Sequence, residues 1–248
     1  MIDALPALPI IFGIAAGFLI GGIVKGAFGI GFPAVVMSIL PVFIDPALAI
    51  SLLALPIVIT NIQQVTTGPE WRAVVRRFAL AGAASAATIL IVAQFLDDVP
   101  TRVIGLLVGA ALVVFAVTGL FKISLPVSDG WRWQLGVGVG SGVIGGLTGI
   151  KVPTMIYAAA LNLPRDTFVV TAGWLFFCSG SGLLVGLVAG DMLSGAALAL
   201  SVTGVVMALI GFQVGERVRK GIDPARFRKM LLWLMLILGL RMVWANLV

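Results

Sequence analysis

Residues 22–33 read GIVKGAFGIGFP and residues 142–153 read GVIGGLTGIKVP. At a constant offset of 120, Gly22 matches Gly142, Gly26 matches Gly146, Gly29 matches Gly149, Ile30 matches Ile150 and Pro33 matches Pro153. Glycine makes up 31 of the 248 residues, so glycine matches alone would say little; Ile and Pro keeping register makes duplication the better reading. In each copy an apolar run stops at glycines, which admit positive φ, and a short apolar run follows a proline. Proline fits the first turn of a helix, where no backbone N–H is needed. Each stretch therefore predicts a broken helical hairpin.

Working outward, apolar runs lie at 8–29, 32–44, 46–67, 73–96, 102–121, 133–149, 152–163, 167–189, 193–215 and 227–247. The runs 46–67, 73–96, 102–121, 167–189, 193–215 and 227–247 have the roughly 20 residues that cross a bilayer core. The runs 32–44 and 152–163 are too short to cross and read as returning arms. Pro33 to Ile44 is about 18 Å long at 1.5 Å per residue, just past the middle of a core about 30 Å thick. The chain thus reads as an all-α polytopic membrane protein with two halves, 1–124 and 125–248, each a broken hairpin followed by three spans.

Composition agrees. The chain is 60% hydrophobic and only 10% charged, against about 25% charged for a soluble domain. A soluble enzyme, a nucleic-acid-binding domain and a disordered chain are excluded, and the bilayer is the expected surrounding. There is no histidine, which removes His metal sites, Ser-His and Cys-His dyads and His proton relays. Cys178 is the only cysteine, so no intrachain disulfide forms. No cofactor, metal or catalytic residue is expected. Met1-Ile2-Asp3 lacks the basic start of a cleaved signal peptide, so the first run is expected to be retained.

The net charge of +6 reports topology. One set of loops holds Arg72, Arg76, Arg77, Lys122, Arg132, Arg165, Arg217, Arg219, Lys220, Arg226, Arg228 and Lys229. The opposite set holds only Arg102, beside Asp3, Asp45, Asp97, Asp98 and Asp191. The first set is placed in the cytoplasm and both termini outside it, in a plasma membrane, the bacterial inner membrane. Three spans per half is an odd number, so the second half would enter from the opposite face. Such inverted repeats recur in secondary transporters, with substrate sites where broken helices meet near the midplane.

Lipid cannot satisfy the backbone groups that a break frees, so the breaks must be packed in protein or line a watery cavity. The N-termini of the returning helices present N–H groups and positive dipole ends that suit an anion. Gly26, Gly29, Gly31, Gly146 and Gly149 would bring backbone close to a substrate, or would serve only tight helix packing. Lys25 and Lys151 lie at the two breaks, and neither has an acidic neighbour in sequence. A lysine at membrane depth costs about 2.5–3.5 kcal/mol and usually has a partner or a pathway role. No Asp or Glu lies well inside a run, so a small anionic substrate would supply the missing charge. The alternative is that each lysine snorkels to water or caps carbonyls. Lys25 aligns with Gly145 and Lys151 with Gly31, so the site would be asymmetric. Asn61 and Gln64, with Ser179 and Ser181 in the equivalent run, could bind substrate or bond between helices; Asn61 aligns with Ser181. Thr148 could donate to an anion or cap a helix end. Trp174 could wall a cavity or only pack.

GGIVKGAFGIGFP near the start and GGLTGIKVP opening the second half resemble the TauE/SafE sulfite-exporter family, over essentially the whole chain. Members are usually drawn with seven or eight spans, against six spans and two hairpins here. The resemblance implies a transporter of sulfite or organosulfonates such as sulfoacetate. An anion channel, or a carrier of sulfate or a carboxylate, would use the same positive site. Without intramembrane Asp, Glu or His the usual proton carriers are missing. That leaves facilitated diffusion, exchange, a proton carried on the anion as bisulfite, or one carried by a lysine. The apolar, Gly-rich faces could also support a homodimer.

Overall fold

The structure, a computed structural model, describes residues 7–121, 123, 126–218 and 224–247. Asp3, Lys122, Arg219 and Lys220, used above to read topology, lie outside them. The described residues are helical, without strands: α1 Leu8–Phe28, α2 Phe32–Ile39, α3 Pro46–Thr66, α4 Trp71–Arg77, α5 Ala79–Ala93, α6 Thr101–Leu120, α7 Trp131–Thr148, α8 Val152–Ala160, α9 Arg165–Ala189, α10 Gly195–Val218 and α11 Pro224–Leu247. Both broken hairpins are present, as α1/α2 and α7/α8.

The run 73–96 departs from the straight span expected of it. It bends by 66° between α4 and α5. Arg72, Arg76 and Arg77 of α4 are exposed, and the bend leaves them at the surface while apolar α5 enters the bundle. Two side chains repair the interrupted backbone. Gln134 Nε2 donates to the Arg77 carbonyl at 2.8 Å and its Oε1 accepts from Ala81 N–H at 3.3 Å. Trp174 Nε1–H donates to the Phe78 carbonyl at 3.3 Å. Leu8–Phe28, for its part, is long and apolar enough to cross the membrane. With the bent pair counted as one, seven spans are available.

The two most buried spans, α3 and α9, pack together at the centre. Around them α1 packs on α10, and its counterpart α7 packs on α5. Likewise α10 packs on α3 and α5 on α9, α2 on α3 and α8 on α9, and α6 on α11. Exchanging α1 with α7, α2 with α8, α3 with α9, α5 with α10 and α6 with α11 maps each of these pairs onto another of them or onto itself. Glycine makes the close pairs possible. A Cβ on Gly26 would strike the Phe212 carbonyl of α10 and one on Gly215 the Ile23 carbonyl of α1, while a Cβ on Gly146 would meet Val92 Cγ1 of α5 at 2.7 Å.

Proline inside α3 costs a hydrogen bond, because Pro56 has no N–H for the Leu52 carbonyl. Ser201 of α10 replaces it, its hydroxyl donating to that carbonyl at 2.9 Å. At the end that carries the acidic loops, Arg102 donates to the carbonyls of Asn246 and Leu247 and so caps α11.

Gly26→Ala is expected to destabilise the protein by about 1–3 kcal/mol through overpacking, although alanine is the better helix former. Gly136→Ala faces open space and is expected to be neutral or stabilising. Thermal unfolding of the purified variants in detergent checks both.

Candidate functional site

Each hairpin turns at a glycine in the left-handed region: Gly29 at φ +78° ends α1 and Gly149 at φ +70° ends α7. Two residues on, the copies diverge. Gly31 sits at φ +95°, whereas its counterpart Lys151 takes φ −99°, because a side chain makes positive φ costly. Pro33 and Pro153 stand in the first turns of α2 and α8, as the repeat predicts.

The tips pass each other rather than touching end to end. Gly29 faces Val169 of α9, and its carbonyl accepts from Gln64 Nε2 at 3.1 Å near the end of α3. Gly149 faces Met37 of α2 and Leu53 of α3. Gln64 and Leu53 are separated by roughly 16 Å along a helix. The first arms α1 and α7, at 21 and 18 residues, are long enough to carry each tip beyond the middle.

Both lysines are buried between those levels, Lys25 2% and Lys151 0% exposed. Neither snorkels to water. Lys25 Nζ donates to Asn61 Oδ1 at 2.6 Å and to Thr60 Oγ1 at 3.0 Å, and stands 6.0 Å from the Phe32 ring centre. Lys151 Nζ has no hydrogen-bond partner; it stands 5.8 Å from the Phe176 ring centre. The stem of Lys151 lies along Gly145, which is the counterpart of Lys25. Gly180 packs against Ile57 and Gly173 against Gln64 and Val65, so Asn61 and Phe176 share one level of the antiparallel α3–α9 pair. The two ammonium groups therefore reach a common depth. Among the described residues, neither has a carboxylate within ion-pair distance.

Other residues take local duties. Gln64 Nε2 also donates to the Val169 carbonyl at 2.7 Å, joining tip, α3 and α9, while its Oε1 is buried without a partner. Thr148 caps the second tip: its Oγ1 accepts from Ile150 N–H at 3.1 Å and donates to the Ile144 carbonyl at 2.6 Å. Ser179 donates to carbonyls of its own helix, at Leu175 and Phe176. Ser181 is half-buried. Trp174 is engaged at the α4–α5 bend, stacked on Phe177. Gly26 and Gly146 sit in helix-packing contacts and Gly31 at the edge of a cavity. Sequence reasoning passed over Thr60, Phe32 and Phe176. The polar pair Thr60-Asn61 in an apolar run was a signal for the first; the two rings carried none.

An all-α membrane bundle, with paired broken hairpins and buried, acid-free lysines, has the make-up of a transporter for small anions. Residues 13–242 match the family model described as sulfite exporter TauE/SafE, and the chain belongs to that family. Neither a curated protein nor a solved structure matches it. Membership implies a multi-pass membrane transporter of sulfite- or sulfonate-type anions rather than an enzyme.

Asn61→Leu removes the short acceptor of Lys25 and is expected to cost about 1–3 kcal/mol, the penalty of an under-satisfied buried donor. Adding Lys25→Met should return part of that loss, because both partners are then apolar. A double-mutant cycle by thermal unfolding measures the coupling; simple additivity would mean the bond carries no stability.

Proposed function

We propose that this chain is a secondary carrier that exports sulfite or small organosulfonate anions across the bacterial inner membrane. The carrying observation is the pair of buried lysines at one depth. Lys25 is hydrogen-bonded only to neutral oxygens and Lys151 to none, so an anion entering the centre would meet two lysine amines with no carboxylate competing for them. Family membership supplies the substrate class. Gly29, Gly31, Thr148 and Gly149 shape the tips beside that centre, and Asn61 and Gln64 stand on the helix between them. Asn61 orients Lys25, and Gln64 holds the first tip.

The halves 1–124 and 125–248 read as an inverted duplication. The motif repeat at offset 120 and the interchange of packing pairs support it. The bias of Lys and Arg puts the Arg72–Arg77 end in the cytoplasm and both termini outside. An anion channel, or a carrier for sulfate or a carboxylate, is the competing reading, since an ammonium group suits any oxyanion.

Purified protein in proteoliposomes is expected to carry radiolabelled sulfite or sulfoacetate with saturation and counterflow, and sulfate or a carboxylate more slowly. Lys151→Ala and Lys25→Ala should each lower that flux at least tenfold while remaining folded. Flux without saturation would identify a channel. Absence of flux for every sulfur anion would overturn the substrate assignment, and undiminished flux in both variants would remove the lysines from the site.

A further inference from the structure

The two hairpins are alike in sequence and differ in surroundings. Beside the first tip lies a cavity of about 510 Å³, bounded by Phe28, Ile30 and Gly31 on one side and by Met155 and Ile156 of α8 on another. Thr118 and Asn162 also line it, four and three residues in sequence from Lys122 and Arg165, so it lies toward the arginine-rich face. At the repeat offset of 120 the counterparts of the first five residues are Thr148, Ile150, Lys151, Val35 and Val36. These are closed on one another: Ile150, Lys151 and Val36 are each 0% exposed, Thr148 2% and Val35 3%. The first tip is beside open space, whereas the counterpart space around Ile150, Lys151, Val35 and Val36 is closed; the cavity of about 520 Å³ that reaches Thr148 runs instead along α6, α7 and α8.

The sealed position holds the one feature its counterpart lacks. Gly31, which has no side chain, lines the open cavity; Lys151, its counterpart, ends in a fully buried ammonium group with no hydrogen-bond partner. A buried, unpaired ammonium group is costly in a closed bundle. That cost makes sense if the group meets a partner when the bundle opens. Lys25 differs, since Asn61 and Thr60 already occupy it.

We infer that the structure holds the carrier open toward the arginine-rich face and closed at the second tip, and that Lys151 is the residue that grips the anion. In the alternate state the hairpins exchange surroundings, a counterpart cavity opens at the second tip toward the opposite face, and Lys151 stands in its wall. The ligand class is a small singly or doubly charged oxyanion, a sulfonate above all, held by the ammonium group at the start of α8. Lys25 is a positioning residue that ties α1 to α3. This rests on the carrier reading above and adds to it which lysine binds and which side is open.

The test uses single cysteines in a Cys178→Ser background, with membrane-impermeant thiol reagents applied to each face of oriented vesicles. Met155→Cys reports the open cavity and Val36→Cys the sealed one; Ala159→Cys and Val35→Cys replace either that fails to insert. Met155→Cys should react from the arginine-rich face only, and Val36→Cys from the opposite face only. A sulfoacetate gradient should raise one rate as it lowers the other, by at least threefold. Reaction of both from one face, or no reaction of the Val36 and Val35 positions in variants that still transport, would overturn the exchange. In parallel, sulfoacetate should raise the melting temperature of wild type but not of Lys151→Gln. A shift that survives in folded Lys151→Gln would overturn Lys151 as the binding group while leaving the carrier reading intact. No flux and no shift with any sulfur anion in wild type would overturn the substrate reading, whereas reciprocal labelling would still uphold the two-sided access.

Discussion

Hydrocarbon offers no hydrogen bonds, and every irregularity in this bundle has to be answered by another part of the same chain. The Leu52 carbonyl released by Pro56 is met by Ser201, from a helix 149 residues away in sequence. The interrupted turn at Phe78 is met by Gln134 and Trp174. The first hairpin tip is met by Gln64, whose amide spans Gly29 and Val169. Each repair crosses from one element to another, so the polar residues that look like candidate substrate ligands in an apolar sequence serve in large part as partners for backbone.

The same constraint explains why the site residues fall into two groups. Thr148, Ser179 and Trp174 have their polar atoms occupied by carbonyls or amides of the chain. Lys25 is occupied by Thr60 and Asn61. Lys151 remains: its amine, with Gln64 Oε1 and the hydroxyls of Ser85 and Thr171, is buried without a hydrogen-bond partner among the described residues, and it is the one basic group of the four. A carrier needs such a group, since a centre fully satisfied by its own side chains gives an anion no gain on entering.

Glycine governs how closely the halves engage. The α1–α10 and α5–α7 pairs approach until a single Cβ would strike a backbone carbonyl or a facing side chain. Without a hydrophobic driving force between helices in lipid, such close approach and the dispersion it allows hold the bundle together.

Much of the architecture was legible in the chain itself. The hairpins, their glycine turns and the returning helices follow from where Gly and Pro interrupt apolar runs, because those residues act on local backbone whatever surrounds them. The bend at Phe78 escaped, since Arg76-Arg77-Phe78 contains neither residue and its repair comes from Gln134 and Trp174, far away in sequence. The depth of the tips escaped for a similar reason: it depends on how α1 and α7 lie against α10 and α5. Lys25 and Lys151 stood out as charges in apolar runs, but sequence could not tell them apart. That difference rests on Thr60, Asn61 and Phe176, which reach the lysines only once α3 and α9 are packed between the hairpins. A charge's identity is local, while its partners are set by the fold.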